Sequence, residues 1–208
     1  MNKILKWAVA VSLIVVFGYL LSVTIVDACL MGVAFPRFSY DADKSEFLIE
    51  DSVRIDSQDG FKCSAYSSAY ILRHWGAEAH GEDVYKVMPD KMEGGYVYPK
   101  GIVKFLESNG FTVGYHIGNI VALKNELAKG DPVIVMIKIR PDRDWLHYVP
   151  VVGYSADSLY IAESIPDLCN VSNKKYNRSI STDDFETLWN TRALKMPLYG
   201  NTFITARK

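Results

Sequence analysis

The first part of the chain is an uninterrupted run of apolar residues. Residues 7–26 carry no charge, Lys3 and Lys6 precede them, and Asp27 follows. About 20 apolar residues in a helix cross a hydrocarbon core of roughly 30 Å, so the pattern predicts one transmembrane helix through residues 7–26. By the positive-inside rule, the two lysines place the N-terminus in the cytoplasm and the rest of the chain outside it.

The same segment also fits two alternatives. Residues 26–28 resemble the small-residue cleavage site of a secretory signal peptide, and cleavage there would give a secreted protein. Cys29 weakly resembles a lipoprotein motif, although an Asp two residues before it fits that motif poorly. The apolar run is longer than the about 7–15 residues of a signal peptide core. We therefore favour an uncleaved anchor, and we assign residues 1–28 to a membrane anchor or signal segment.

Further along the chain, apolar spacing predicts mostly helices first and mostly strands afterwards. Helices are predicted at residues 63–75, 84–88, 99–109, 120–128 and 182–189. Strands are predicted at residues 47–55, 111–117, 133–139, 147–154, 159–163 and 202–206. This order is typical of an α+β domain. We expect residues 29–45 to be a connector and residues 46–208 to be one domain.

Composition excludes several classes of function. Lys and Arg number 23 and Asp and Glu number 24, so the net charge of −1 gives no bulk attraction to nucleic acid. A hydrophobic content of 49% with 23% charged residues excludes a disordered chain. Three cysteines, with no CxxC pair, suggest neither a disulfide scaffold nor structural zinc. We expect no metal and no small-molecule cofactor.

One cysteine lies where a helix favours its thiolate form. Cys63 begins the predicted helix 63–75, where free backbone N–H groups and the positive end of the helix dipole stabilise a negative sulfur. The N–H of Cys63 also points to where an oxyanion would form, and the side-chain amide of Gln58 is a candidate second donor. A cysteine at such a position is more often a small buried apolar residue, so a catalytic assignment needs a base nearby.

His147 is the best candidate for that base. The other three histidines lie on the same helix about 16 Å from the cysteine, in a polar turn, and in a separate strand: His74, His80 and His116. His147 begins an apolar strand, where a lone imidazole needs a partner. Glu163, at the end of the next strand, shares a face with His147 if the hairpin loop has an odd number of residues. Its carboxylate then orients the imidazole.

The residues around these positions resemble a known family. The segment from Gln58 through Cys63-Ser64-Ala65-Tyr66 to Trp75-Gly76 is similar to the active-site helix of bacterial papain-like cysteine peptidases that process double-glycine leaders of bacteriocins. The similarity continues, in order, through Gly101…Gly110-Phe111, Leu127…Val135, His147…Tyr154, Ile161-Ala162-Glu163 and Phe185…Trp189. The resemblance implies a papain-like α+β fold, with the nucleophile helix in the N-terminal part and an antiparallel sheet in the C-terminal part. It also implies a peptide or protein substrate.

The resemblance implies a role for each of four residues: Cys63 as nucleophile, His147 as base, Glu163 as orienting acid and Gln58 as oxyanion donor. Ser64 stands where the family usually has glycine, Glu163 stands where it usually has aspartate, and the spacing from Gln58 to Cys63 is one residue shorter than usual. These features predict an extracytoplasmic thiol hydrolase that cleaves a peptide bond. A thiol acyltransferase and a degenerate peptide-binding module of the same fold are the alternatives.

Two polar segments late in the chain receive structural interpretations. Cys169 is expected to be structural or incidental, with a disulfide as the alternative in an oxidising compartment. Lys174, Lys175 and Arg178 are interpreted as a solvated, charged loop.

Overall fold

The computed structural model describes residues 2–194 and 196–208. Its first element is a 29-residue helix, α1 (Lys3–Met31), whose most apolar 18-residue window has a mean hydropathy of 2.6. The helix predicted at residues 7–26 is therefore present and longer at both ends. Its length and composition are consistent with a membrane anchor or a signal segment.

Five further helices lie close to their predicted positions. They are α2 (Cys63–His74), α3 (Gly81–Val87), α4 (Pro99–Ser108), α5 (Ile120–Leu127) and α6 (Thr182–Trp189). Gly76 and Gly110 follow α2 and α4 with φ of 82° and 83°, the left-handed conformation that ends a helix. The cap of α6 is Ser181, whose side chain accepts a hydrogen bond from the backbone N–H of Asp184.

Eight strands form one sheet in the part of the chain that the structure describes. They are β1 (Phe35–Arg37), β2 (Phe47–Leu48), β3 (Thr112–Gly118), β4 (Val133–Lys138), β5 (Leu146–Tyr154), β6 (Ser158–Ile161), β7 (Arg178–Ser181) and β8 (Thr202–Arg207). The order is β1-β3-β8-β4-β5-β6-β7, and β2 pairs with β5. Only β1 and β3 run parallel. The mixed α+β class with a largely antiparallel sheet is confirmed, while β1 and β7 were not predicted and the strand at residues 47–55 is much shorter than expected.

Part of the expected connector, residues 29–45, belongs to the sheet. Residues 35–37 form the edge strand β1, and the guanidinium of Arg37 lies 2.6 Å from a carboxylate oxygen of the buried Glu126. The side-chain amide of Asn125 donates a hydrogen bond to the carbonyl of Asp41 at 2.8 Å. Contacts to the domain therefore begin well before residue 46.

Helices cover both faces of the sheet. The side chains of β4 alternate between these faces, because successive residues of a strand point in opposite directions. Val133, Val135 and Ile137 pack with residues of α5 and α6, whereas Ile134 and Met136 pack with residues of α2 and α4. Between α2 and β5, the hydroxyl of Ser67 donates a hydrogen bond to the backbone carbonyl of Tyr148 at 3.0 Å. This bond holds the first turns of α2 against the beginning of β5.

Candidate active site

The start of α2 carries Cys63, which is 7% exposed and lines a cleft. The preceding residue, Lys62, does not cap the helix with its side chain. Its ammonium instead contacts the carboxylate of Glu82 at 2.8 and 2.9 Å. The first-turn N–H groups are therefore left without a side-chain cap, and such a helix terminus stabilises an anion, whether a thiolate or an oxyanion.

The imidazole of His147 is almost fully buried at the start of β5. Its Nε2 lies 2.7 Å from Oε1 of Glu163, which leaves Nδ1 as the nitrogen for Cys63. Burial by itself lowers the pKa of this imidazole, but the hydrogen bonds and charges of Cys63 and Glu163 outweigh burial and raise the pKa of His147 to about 9. An imidazole with this pKa is protonated at neutral pH.

A β-bulge brings His147 and Glu163 to the same face of the sheet. Tyr154 lies opposite Leu159, whereas Val151 lies opposite Ile161, so β5 has one more residue than β6 between the two pairs. The register pair nearest the turn, Tyr154 and Leu159, encloses an even number of residues, 155–158, so without the bulge the two side chains would point to opposite faces. The expected juxtaposition is present, but it depends on the bulge and not on the length of the loop alone.

Arg178 holds the carboxylate of Glu163 from the side opposite His147. Its Nη1 donates a hydrogen bond to Oε2 at 2.8 Å, and the backbone N–H of Ile165 donates to Oε1 at 2.8 Å. Burial raises the pKa of a carboxyl group, but here the interactions with His147, the Ile165 backbone and Arg178 outweigh burial and hold the pKa of Glu163 below its ordinary value. The carboxylate is thus kept ionised and fixed in position.

The assignment of Arg178 to a solvated loop is wrong. The residue is 7% exposed and begins β7, directly opposite Ile161 of β6. Within the strand, Arg178 and Ile180 are buried, while the two serines between and after them are more exposed. This period of two was visible in the sequence, but the neighbouring lysines obscured it.

Gln58 lines the same cleft as Cys63 and His147, and its side chain is held by two neighbours. Its Oε1 accepts a hydrogen bond from the hydroxyl of Ser164, and its Nε2 donates to the carbonyl of Gly60, both at 2.7 Å. A carboxamide has two N–H donors, so one remains for an oxyanion. The role of Gln58 as an oxyanion donor stays a prediction.

The remaining candidates lie outside this cleft. His74, His80, His116 and Cys169 are absent from the lining of both cavities that contain Cys63. All three cysteines, Cys29, Cys63 and Cys169, are free thiols, so the structure contains no disulfide at Cys169. Burial raises the pKa of the Cys169 thiol, which makes it a poorer nucleophile at neutral pH.

Comparison with known proteins assigns the family. A model of the peptidase C39-like family matches residues 50–193, more than half of the chain. The chain belongs to this family. No match was found among curated protein sequences.

Solved structures show that this C39-like chain has the papain-like fold. The peptidase domain of Streptococcus ComA, a bi-functional ABC transporter involved in quorum sensing, is 16% identical with a TM-score of 0.56, over 75% of this chain and 98% of that domain. A putative C39-like peptidase from Bacillus anthracis is 16% identical with a TM-score of 0.59, over 77% and 97% of the two chains. A Carica candamarcensis cysteine protease, solved with E-64, is 13% identical with a TM-score of 0.54, over 79% and 99%. The family and the fold predicted from the sequence are confirmed.

The cleft of the C39-like domain has two lobes that meet at Cys63. One lobe has a cavity volume of about 450 Å³, and its lining includes Gln58, His147, Arg140 and Arg143. The apolar lobe has a cavity volume of about 350 Å³, and its lining includes four methionines: Met31, Met92, Met136 and Met196. Phe61, Tyr96 and Trp145 line both lobes.

Proposed function

We propose that this C39-like chain is a membrane-anchored thiol hydrolase that cleaves a peptide bond in a peptide or protein outside the cytoplasm. One observation carries the proposal: a buried line of hydrogen bonds runs from Arg178 through Glu163 to His147, and Cys63 lies on the other side of the imidazole. This line fixes the tautomer and orientation of a base beside a thiol at a helix start.

The geometry supports acyl transfer through a thioester. His147 holds the proton of Cys63 as an imidazolium, and the thiolate attacks the substrate carbonyl, so that a C–S bond forms and the carbonyl oxygen becomes an oxyanion. The N–H of Cys63 and the amide of Gln58 stabilise that oxyanion. As the C–N bond breaks, His147 gives its proton to the leaving amine. Water, deprotonated by His147, then attacks the thioester carbonyl, the C–S bond breaks, the acyl group leaves as a carboxylic acid, and Cys63 is restored as a thiolate beside the protonated His147.

In this proposal α1 is the membrane anchor, and the charges beside it assign its orientation. Lys3 and Lys6 precede the apolar run, so the N-terminus is assigned to the cytoplasm and the catalytic domain to the other side.

Selective alkylation of the full-length chain in detergent tests the thiol chemistry. Limiting iodoacetamide at pH 6, followed by peptide mapping, is expected to label Cys63 well before Cys29 and Cys169, because only Cys63 has a buried imidazolium beside it. His147→Ala is expected to slow the labelling of Cys63 several-fold.

Two matched variants control for general effects of losing a histidine. His74→Ala and His116→Ala should leave the labelling of Cys63 nearly unchanged, because neither residue lines its cleft. Equal labelling of Cys63 and Cys169, insensitive to His147→Ala, would instead indicate a peptide-binding module without turnover. A trapped thioester that is released only when an amine is added would indicate an acyltransferase.

A further inference from the structure

The last turn of α1, residues 27–31, is built into the domain; we name it the exit turn. Asp27 is 3% exposed, and its Oδ2 accepts a hydrogen bond from the backbone N–H of Leu198 at 3.0 Å. The ammonium of Lys100 donates to the carbonyl of Cys29 at 2.9 Å. Met31 packs against the core between the sheet and helices α2 and α4. No flexible linker therefore separates the apolar helix from the domain.

The exit turn also forms part of the apolar lobe. Met31 lines this lobe together with Met196 and Tyr199. These two residues lie on either side of Leu198, whose backbone N–H donates to Asp27. The hydroxyl of Tyr199 is 2.9 Å from that of Tyr148, which lines the lobe from β5. Asp27 is therefore a positioning residue, because it holds a loop that supplies two of the lining side chains.

The exit turn fixes the height of the lobe above a bilayer. The charge-free run of α1 ends at residue 26, and residues 2–22 are exposed, as expected for a helix surrounded by lipid. Met31 is five residues further along, about 8 Å at 1.5 Å per residue. A transmembrane α1 thus places the apolar lobe within about 10 Å of the hydrocarbon boundary. Leu194 and Leu198, exposed by 72% and 40%, lie on the loop that the exit turn contacts.

From this geometry we infer that the substrate is a membrane-attached polypeptide, cleaved at the membrane surface with an apolar side chain in the apolar lobe. The inference rests on the thiol chemistry proposed for Cys63. The four methionines suit apolar side chains of different shapes, because a flexible thioether adapts to its contacts.

The first experiment tests whether the exit turn shapes the lobe. Full-length chain in lipid vesicles is treated with two peptidyl chloromethyl ketones, one with leucines and one with glycines next to the reactive carbon. For each chain, the rate at which each ketone labels Cys63 is divided by the rate at which iodoacetamide labels Cys63. Met31→Ala and Asp27→Ala should lower the leucine-to-glycine ratio at least fivefold.

Leu30→Ala is the matched control, since Leu30 is in the same turn but does not line the lobe. Its leucine-to-glycine ratio should equal that of the wild type. The same ratio in Met31→Ala and Leu30→Ala would overturn the inference. Failure of iodoacetamide to distinguish Cys63 from Cys169 would overturn the thiol chemistry instead, so the two failures are distinguishable.

The second experiment tests the membrane-attached substrate. The leucine probe carries a palmitoyl chain through a Gly-Ser spacer of three or fifteen residues, and the vesicles contain the full-length chain. A three-residue spacer reaches at most about 10 Å, which matches the height of the lobe. Because effective concentration falls roughly as the −3/2 power of spacer length, the short probe should label Cys63 about tenfold faster than the long one.

A variant with a longer connection between α1 and the domain supplies the control for spacer length. Fifteen Gly and Ser residues inserted between Val26 and Asp27 keep the exit turn but allow the domain to move about 20 Å from the bilayer. In that chain the long-spacer probe should become the faster one. Equal rates for both spacers, or the same preference in both chains, would show that cleavage does not occur at the membrane surface.

Discussion

Arg178 binds the carboxylate oxygen of Glu163 that His147 leaves free, with Nη1 of the guanidinium 2.8 Å from Oε2. Arg178 lies on β7, Glu163 follows β6 and His147 begins β5, so the three side chains cross adjacent strands on one face of the sheet. Arg178 lines neither of the cavities that contain Cys63, so it does not reach a substrate there. It acts on the base through the carboxylate.

Replacement of Arg178 should therefore affect stability and acid tolerance together. Arg178→Met leaves a buried carboxylate with one partner fewer, which is expected to lower the free energy of unfolding by about 3–5 kcal/mol. It should also raise the pKa of Glu163, so labelling of Cys63 by iodoacetamide should fall more at pH 6 than at pH 8. Arg178→Lys keeps the charge, so it should retain part of the free energy of unfolding and part of the labelling of Cys63 at pH 6. An equal loss of labelling at the two pH values would assign Arg178 a structural role only.

Stability should decrease as the pH rises from 6.5 to above 9. The pKa of His147 is raised from 6.5 to about 9 in the folded chain, so its contribution is complete below pH 6.5 and is lost as the pH passes through 9. A shift of this size corresponds to roughly 3 kcal/mol. Urea unfolding of the full-length chain in detergent, at several pH values, measures the loss. His147→Gln should lack this pH dependence, and an identical profile in both chains would refute the assignment.

Gln58→Ala should separate oxyanion binding from activation of the thiol. Hydrolysis of a p-nitrophenyl ester passes through an oxyanion, so its kcat is expected to fall about 10²–10³-fold. Alkylation by iodoacetamide forms no oxyanion, and its rate at Cys63 should stay the same. Gln58→Glu keeps the length of the side chain but removes the N–H donors, and it should lose as much kcat as Gln58→Ala. Full activity in Gln58→Glu would assign the second donor to another group.

Topology can be measured on intact cells. Protease added outside should digest residues 46–208, because the two lysines that precede the apolar run of α1 orient the N-terminus toward the cytoplasm. A cytoplasmic protein of known location serves as the reference. Protection equal to that reference would place the domain on the other side of the membrane.

Local signals were sufficient to predict the elements that carry Cys63 and His147. The apolar period and the terminating Gly76 defined α2 and placed Cys63 in its first turn, and the continuous apolar run defined β5 with His147 at its start. Both features depend only on residues that are close together in the sequence. The pairing of His147 with Glu163 was anticipated as a possibility, but the bulge that produces it was not predicted, although Gly153 borders it and a glycine within a strand often marks a bulge.

Arg178 and β1 depended on partners far along the chain. β1 has three residues, one of them Pro36, and it is stable only because β3, some 80 residues later, offers it an edge. Arg178 is buried because Glu163 needs a second cation, and this need exists only once Glu163 is itself buried beside His147. Neither condition can be read from neighbouring residues.

With α1 as the proposed membrane anchor, the buried attachment of Asp27 has a consequence for how the chain would meet a membrane-attached substrate. A domain fixed to its own helix keeps a constant height and turns only about the membrane normal, so encounters take place by lateral diffusion in a thin layer. The reaction rate then depends on molecules per unit area and on lipid viscosity. Diluting the vesicles at a fixed protein-to-lipid ratio leaves that surface density, and with it the rate, unchanged.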